Sequence, residues 1–196
     1  MRRKAPSTRT LDAALVTVWT IGHSTRTAEA FFGLLDESRI EVLADVRRFP
    51  ASKHVPWTNL DILAETLRVR GLGYEHFVDL GGYRKPSPDS PNTAILNSMF
   101  RGYADHMETE AFRTSLEKLL VLAASHRVAV MCAEVVPWRC HRYFLADALL
   151  ARGAQVVHIL SPGRSQEHRL ATAARVRGGS VSYPGGPQKG LKRPRG

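Results

Sequence analysis

Val128-Ala-Val-Met-Cys-Ala133 is an unbroken apolar run of six residues, followed at once by Glu134 and then by Cys140-His-Arg142, where a helical pattern begins. A run this short and this rich in β-branched side chains reads as a strand, because a buried helix needs about ten residues or more. It is apolar at every position rather than at alternate ones, so both of its faces are covered. That is the signature of a parallel sheet.

The flanks repeat the theme. Cys140 to Ala151 reads as a helix closed by Gly153, and Gln155 to Leu160 as the next strand. Upstream, Leu15 to Ile21, Ile40 to Val46 and Gly73 to Val78 read as three further strands. Between them lie apolar stripes at helical spacing: Phe31, Leu34 and Leu35 after a Thr27 cap, and Leu60, Leu63 and Leu67 before Gly71. Helices are expected over 94–106 and 109–124, and a last basic helix over 165–177. Alternating strands and helices predict a three-layer α/β sandwich with a mostly parallel five-stranded sheet, Rossmann-like or flavodoxin-like. The expected single domain covers residues 11–178.

The 196 residues carry a formal charge of +10, and eight of those charges sit at the ends: Arg2, Arg3, Lys4 and Arg9, then Lys189, Lys192, Arg193 and Arg195, with no acid in residues 1–10 or 179–196. The rest of the chain is left at +2. Residues 1–10 and 179–196 are therefore expected to be flexible basic tails, able to touch nucleic acid weakly through its phosphates or simply to solubilise the chain. No apolar run approaches the roughly 20 residues of a membrane span. Two cysteines, Cys132 and Cys140, are too few for a disulfide framework, which predicts a reducing, cytoplasmic setting.

In parallel α/β sheets ligands gather beyond the carboxyl ends of the strands. The residues expected there are His23 and Ser24 after the first strand, and Asp45 and Arg47 at the end of the second, with Ser52 in the proline-bounded loop beyond. Gly81, Gly82 and Arg84 follow the third, and Glu134, Cys140, His141 and Arg142 the fourth. A thiol at a helix start beside His141 and Arg142 is expected to be partly thiolate. Cys140, His141, Glu134 and Asp45 are thus the candidate catalytic groups. The remaining residues, with the arginines as an anion clamp, are the candidate substrate contacts. Each has a plainer reading. Cys140 can simply fill space, Asp45 can simply pair with Arg47, and Ser24 or Thr27 can cap a helix. Cys132 reads as core, and Trp57 as the hydrophobic anchor of a loop in which Ser52, Lys53 and His54 could form a lid.

The stretches Thr20-Ile-Gly-His-Ser24, Ala44-Asp-Val-Arg47 with Pro50-Ala-Ser52, Leu80-Gly-Gly-Tyr-Arg84, Met131-Cys-Ala-Glu134 and Cys140-His-Arg142 resemble, in order and spacing, the family called domain of unknown function 488. The resemblance spans about residues 17–160. It implies a single α/β domain and brings no activity with it.

Several familiar sites are missing. Gly71-Leu-Gly73 lacks the later glycine of a dinucleotide loop, and no phosphate-binding Gly-Lys-Ser/Thr occurs. Cys132 and Arg139 are separated by six residues, where the phosphatase loop they resemble has five. Cys132, Cys140, His141 and His23 could ligate a metal, but the close cysteine spacing of structural zinc is absent. Neither cofactor nor metal is therefore assigned from sequence. The expected function is an enzyme that binds an anionic or nucleotide-like small molecule and uses Cys/His-based hydrolase or transferase chemistry. The alternative is a nucleic-acid-binding or ligand-sensing module.

Overall fold

The computed structural model describes residues 16–185. Its central sheet holds six strands: β1 (Thr17–Gly22), β2 (Val42–Asp45), β3 (Gly73–His76), β4 (Val128–Cys132), β5 (Gln155–Ser161) and β6 (Arg164–Glu167). Their order is β3-β2-β4-β1-β5-β6, parallel except for β6. Five helices flank them: α1 (Ala28–Glu37), α2 (Leu60–Val69), α3 (Ser98–His106), α4 (Glu110–Ser125) and α5 (Arg142–Ala151).

Two separate apolar layers follow from strand parity. Ala129 and Met131 of β4 pack with Phe31, Leu34 and Leu35 of α1 and Leu63 and Leu67 of α2. Val128, Val130 and Cys132 face the other way, toward Leu116 and Leu119 of α4 and Leu145 and Leu149 of α5. The chain therefore winds in one direction on one face and in the other direction on the opposite face, as right-handed crossovers require. Local signals fix the helix ends. The Thr27 hydroxyl accepts from Ala30 N (3.2 Å), and Gly71 and Gly153 take the left-handed backbone just past α2 and α5.

The segment expected as a basic helix over 165–177 folds differently. Ser165–Glu167 continues β6, an exposed antiparallel edge, and Arg175–Arg177 and Ser180–Ser182 form a hairpin, β7 and β8. Gly178 and Gly179 both have positive φ (53° and 78°), the geometry of a two-residue hairpin turn that favours glycine. Arg-Val-Arg-Gly-Gly-Ser-Val-Ser alternates with the period of a strand, and no helical stripe competes with it.

The ordered domain accordingly runs past residue 178, and residues 179–185 belong to it rather than to a tail. The Tyr183 side chain is buried, and its hydroxyl donates to Asp147 Oδ2 of α5 at 2.7 Å. Its backbone N–H donates to Asn92 Oδ1 (2.7 Å), and Ala94 N–H donates to its carbonyl (3.1 Å). The expected tails at 1–10 and 186–196 lie outside the described residues. Removing only the hydroxyl, Tyr183→Phe, is expected to cost about 1.5–3 kcal/mol in urea unfolding, the range for a hydrogen bond to a charged group. A cost near zero would mean that this bond does not help hold the carboxyl-terminal segment to α5.

Candidate functional site

β1 and β4 are neighbours, but their outgoing connections diverge, one to α1 and one, through Glu134 to His141, to α5. A crevice opens at such a switch point. The two strand ends are zipped together beyond the sheet, where His23 N–H donates to Cys132 O (3.1 Å) and Ser24 N–H to Ala133 O (2.7 Å). Gly22 makes this approach possible, because a Cβ there would lie 2.0 Å from Glu134 O. Ser24 and Tyr83, both lining the crevice, hold positive φ (44° and 59°), a costly backbone for non-glycine residues.

The resulting cavity measures about 440 Å³. Of the residues expected at the rim, His23, Ser24, Arg47, Ser52, Gly82, Glu134, Cys140 and His141 line it. Arg48 and Arg139 add two further cations, Phe49, Tyr83, Phe100 and Tyr103 supply aromatic wall, and Cys132 joins Cys140 on the floor. Among the described residues, Glu134 is the only carboxylate in the lining.

Asp45, Gly81, Arg84 and Arg142 stand behind the wall. Asp45 pairs in register with Met131, so it faces the α1/α2 layer, the opposite side from Cys132. Its carboxylate accepts from Arg47 Nη2 (2.6 Å) and Nε (2.9 Å), Arg47 N (3.0 Å) and the Tyr74 hydroxyl (2.9 Å). Asp45 thus positions Arg47 and has no oxygen free for proton transfer to a ligand. Arg84 donates to Gly81 O (3.0 Å) and Val78 O (3.2 Å), which closes its own loop. Gly81 is tight against the backbone of Arg48, at 3.0 Å from an added Cβ.

Arg142 is fully buried. It donates to Glu134 O, to Val135 O (3.3 Å) and to Thr20 Oγ1 (3.3 Å), and so pins the loop after β4. Its Nε has no partner, and among the described residues no carboxylate lies within ion-pair distance of its guanidinium. Thr20 carries the polar contact onward. Its hydroxyl meets His158 Nδ1 (2.7 Å), His158 Nε2 meets His168 Nδ1 (3.0 Å), and His168 Nε2–H donates to Asp147 Oδ1 (2.9 Å). A buried polar chain therefore joins the loop after β4 to Tyr183.

His23 is buried against the edge of Trp57, and its Nδ1–H donates to Ser24 O (3.0 Å). Burial pushes its pKa down to about 4, against the pull of the Ser24 carbonyl and with help from the Arg47 charge. The ring is thus neutral at pH 7, and its Nε2 lone pair faces Arg47 Nη1 at 3.5 Å. Arg47 Nη2 is held on the far side by Thr58 O (2.7 Å). Trp57 anchors its loop as expected, packed on Phe31 and Phe32, with its N–H on Arg26 O (3.2 Å). Of that loop only Ala51 and Ser52 reach the cavity, whereas Lys53 and His54 are exposed outside it.

On the floor, His141 Nδ1 lies 3.7 Å from Cys140 Sγ and 3.8 Å from Cys132 Sγ. Its Nε2–H donates to Val46 O (3.2 Å), which fixes the ring with Nδ1 toward both sulfurs. The neighbouring Cys132 thiol above all, followed by the His141 ring and the Arg142 charge, holds the Cys140 pKa well below the usual thiol range despite burial. The same pairing, with burial, pushes Cys132 well up. Of the two thiols Cys140 is the one favoured to ionise, and the buried Arg142 cation lowers both. Cys132 is core, as read from sequence, and it also lines the cavity.

A family model described as domain of unknown function DUF488 matches residues 27–149, more than half of the chain. The chain belongs to the DUF488 family. The match takes in β2, β4, the start of α5 and every cavity residue except His23 and Ser24, which lie just before it. No curated protein and no solved structure matches the chain. Among the described residues of this DUF488 domain, no helix is long and apolar enough to cross a membrane.

Proposed function

We propose that this DUF488 protein is a cytoplasmic enzyme that takes an anionic or nucleotide-like small molecule into the switch-point cavity and carries out hydrolysis or group transfer at the Cys–His centre on its floor. The observation that carries the reading is convergence: Arg47 and Arg48 from the loop after β2 and Arg139 from the connection between β4 and α5 face one cavity that also holds Cys132, Cys140 and His141, with Glu134 the single carboxylate among its described lining residues. A cavity of about 440 Å³ is within the size range of small-molecule sites. Arg47 is the best placed of the three to hold an anion, because Asp45 and Thr58 O fix its guanidinium before any ligand enters.

The neutral His23 Nε2 supplies a proton acceptor beside Arg47, and the exposed Glu134 a second at the mouth. Two free thiols fit a reducing compartment. Hydrolysis or transfer suits these groups better than redox chemistry with a nicotinamide or flavin, for which the sequence has no fingerprint.

Reduced protein stripped of metal by a chelator should react with iodoacetamide at Cys140 faster than at Cys132 at neutral pH, as peptide mass spectrometry would read. Equal, sluggish labelling of both would count against a reactive centre. Native mass spectrometry of freshly purified protein, followed by assays on phosphate and carboxylate esters, tests the substrate class. Turnover should fall by at least about 100-fold in His141→Asn, the lower end of the effect of losing a positioned acid–base group. Wild-type turnover in that variant, or no bound anion and no turnover on any ester, would overturn the proposal.

A further inference from the structure

We propose that Cys132, Cys140 and His141 are the protein ligands of a thiophilic divalent metal, zinc in the first place, whose fourth position opens into the cavity. The inference names what the Cys–His centre of the proposed function holds, and it rests on that centre being the place of chemistry. Cys132 Sγ, Cys140 Sγ and His141 Nδ1 lie within 4.8 Å of one another. A tetrahedral zinc with bonds of about 2.3 Å to sulfur and about 2.0–2.1 Å to nitrogen sets S and N about 3.6 Å apart. The observed S–N distances of 3.7 and 3.8 Å need only a small adjustment, and the two sulfurs, within 4.8 Å of each other, would sit about 3.8 Å apart around a tetrahedral ion.

The surroundings suit ligation as well. A metal-bound imidazole ordinarily gives its other N–H to a carbonyl or carboxylate, as His141 does to Val46 O. The ligands come from the end of β4 and the start of α5. The loop between them is tied down by Arg142 on Glu134 O and Val135 O and by Cys140 N–H on Pro137 O (3.0 Å). A Cβ on Gly82 would stand 2.9 Å from His141 Nδ1, so only glycine leaves that nitrogen clear.

Among the described residues the cluster has three members and no fourth protein ligand. Structural zinc sites are closed by four, whereas sites that do chemistry leave one position open. A metal here would polarise a substrate anion or a bound water at that open position. The spacing, with seven residues between the cysteines, explains why no short metal motif reveals the set.

The test is titration of reduced, chelator-treated full-length protein with cobalt(II). A thiolate-to-cobalt charge-transfer band and intense tetrahedral visible bands should saturate at one equivalent per chain and disappear on adding zinc. Cys132→Ser and Cys140→Ser should each weaken binding by at least about tenfold, with the charge-transfer intensity reduced. Because a serine at either buried position could disturb folding, Gly82→Ala is the second variant. It keeps all three ligands, and it should weaken cobalt binding while leaving the circular dichroism spectrum unchanged. Absence of the charge-transfer band in the reduced wild type would overturn the proposal, as would bands that survive the double serine variant. Full ester turnover by protein that takes up no metal would sink the metal and leave the enzyme reading standing. Stoichiometric metal with neither anion binding nor turnover would do the reverse.

Discussion

Asp45→Ala is expected to lower the free energy of unfolding by about 3–5 kcal/mol, the cost of leaving one member of a buried ion pair without its partner. Arg47 and Asp45 have side chains only 6% and 0% exposed, so water cannot take over from the missing carboxylate. The Tyr74 hydroxyl loses its acceptor in the same step. The effect should also reach the cavity. Without Asp45 the guanidinium keeps Thr58 O and the long contact to His23 Nε2, and the arginine best placed to hold an anion is no longer fixed on its Nε side. Urea unfolding of Asp45→Ala and of the double variant Asp45→Leu/Arg47→Met separates the two consequences. The apolar pair should recover much of the lost stability, since buried ion pairs are often replaceable by apolar residues of similar volume. It should not recover anion binding. An Asp45→Ala protein as stable as the wild type would mean that the pair is not closed in solution.

Much of the sheet is legible because β4 is apolar and buried at every position and β1 and β2 are largely so. Where the residues have no such redundancy, the reading depended on register, which no single strand encodes. Asp45 and Cys132 both end apolar strands and look equivalent in sequence. The pairing of Asp45 with Met131 sends the acid into the α1/α2 layer and leaves Cys132 on the face of Cys140. Arg142 did carry a usable signal. It lies in phase with Leu145, Ala146 and Leu149, the buried stripe of α5, so its place beneath the loop rather than in the cavity follows from helical spacing. The hairpin over 175–182 has a signal of the same kind, Gly178-Gly179 between alternating residues, which outweighs the basic helix expected over 165–177. Arg139 reaches the cavity from the connection between β4 and α5, whose course the sequence does not dictate.

Lowering the pH from 7.5 to 5 is expected to cost the fold about 4 kcal/mol, through two imidazoles it keeps neutral. His23 is depressed to about 4, by burial first and by the Arg47 and Arg142 charges, which outweigh Asp45. His158 is depressed to about 3, by burial first and then by His168 and Arg142, with Asp147 one residue further along the chain of contacts. Unfolded, both return to an ordinary histidine pKa near 6.5. The unfolded chain therefore binds protons that the native state refuses, and stability is complete above about pH 6.5 and lost as pH falls toward the two native values. Between pH 6 and 5 unfolding should take up close to two protons, each contributing about 1.4 kcal/mol per pH unit. His106, lowered for the same reason, adds in the same direction. Urea denaturation across this range measures the slope directly, and His23→Gln should remove about half of it while leaving the His158 share. A stability that stays flat from pH 7.5 to 5 would show that both rings can take up protons inside the fold. In that case the neutral base beside Arg47 and the buried chain from Arg142 to Tyr183 would both be wrong.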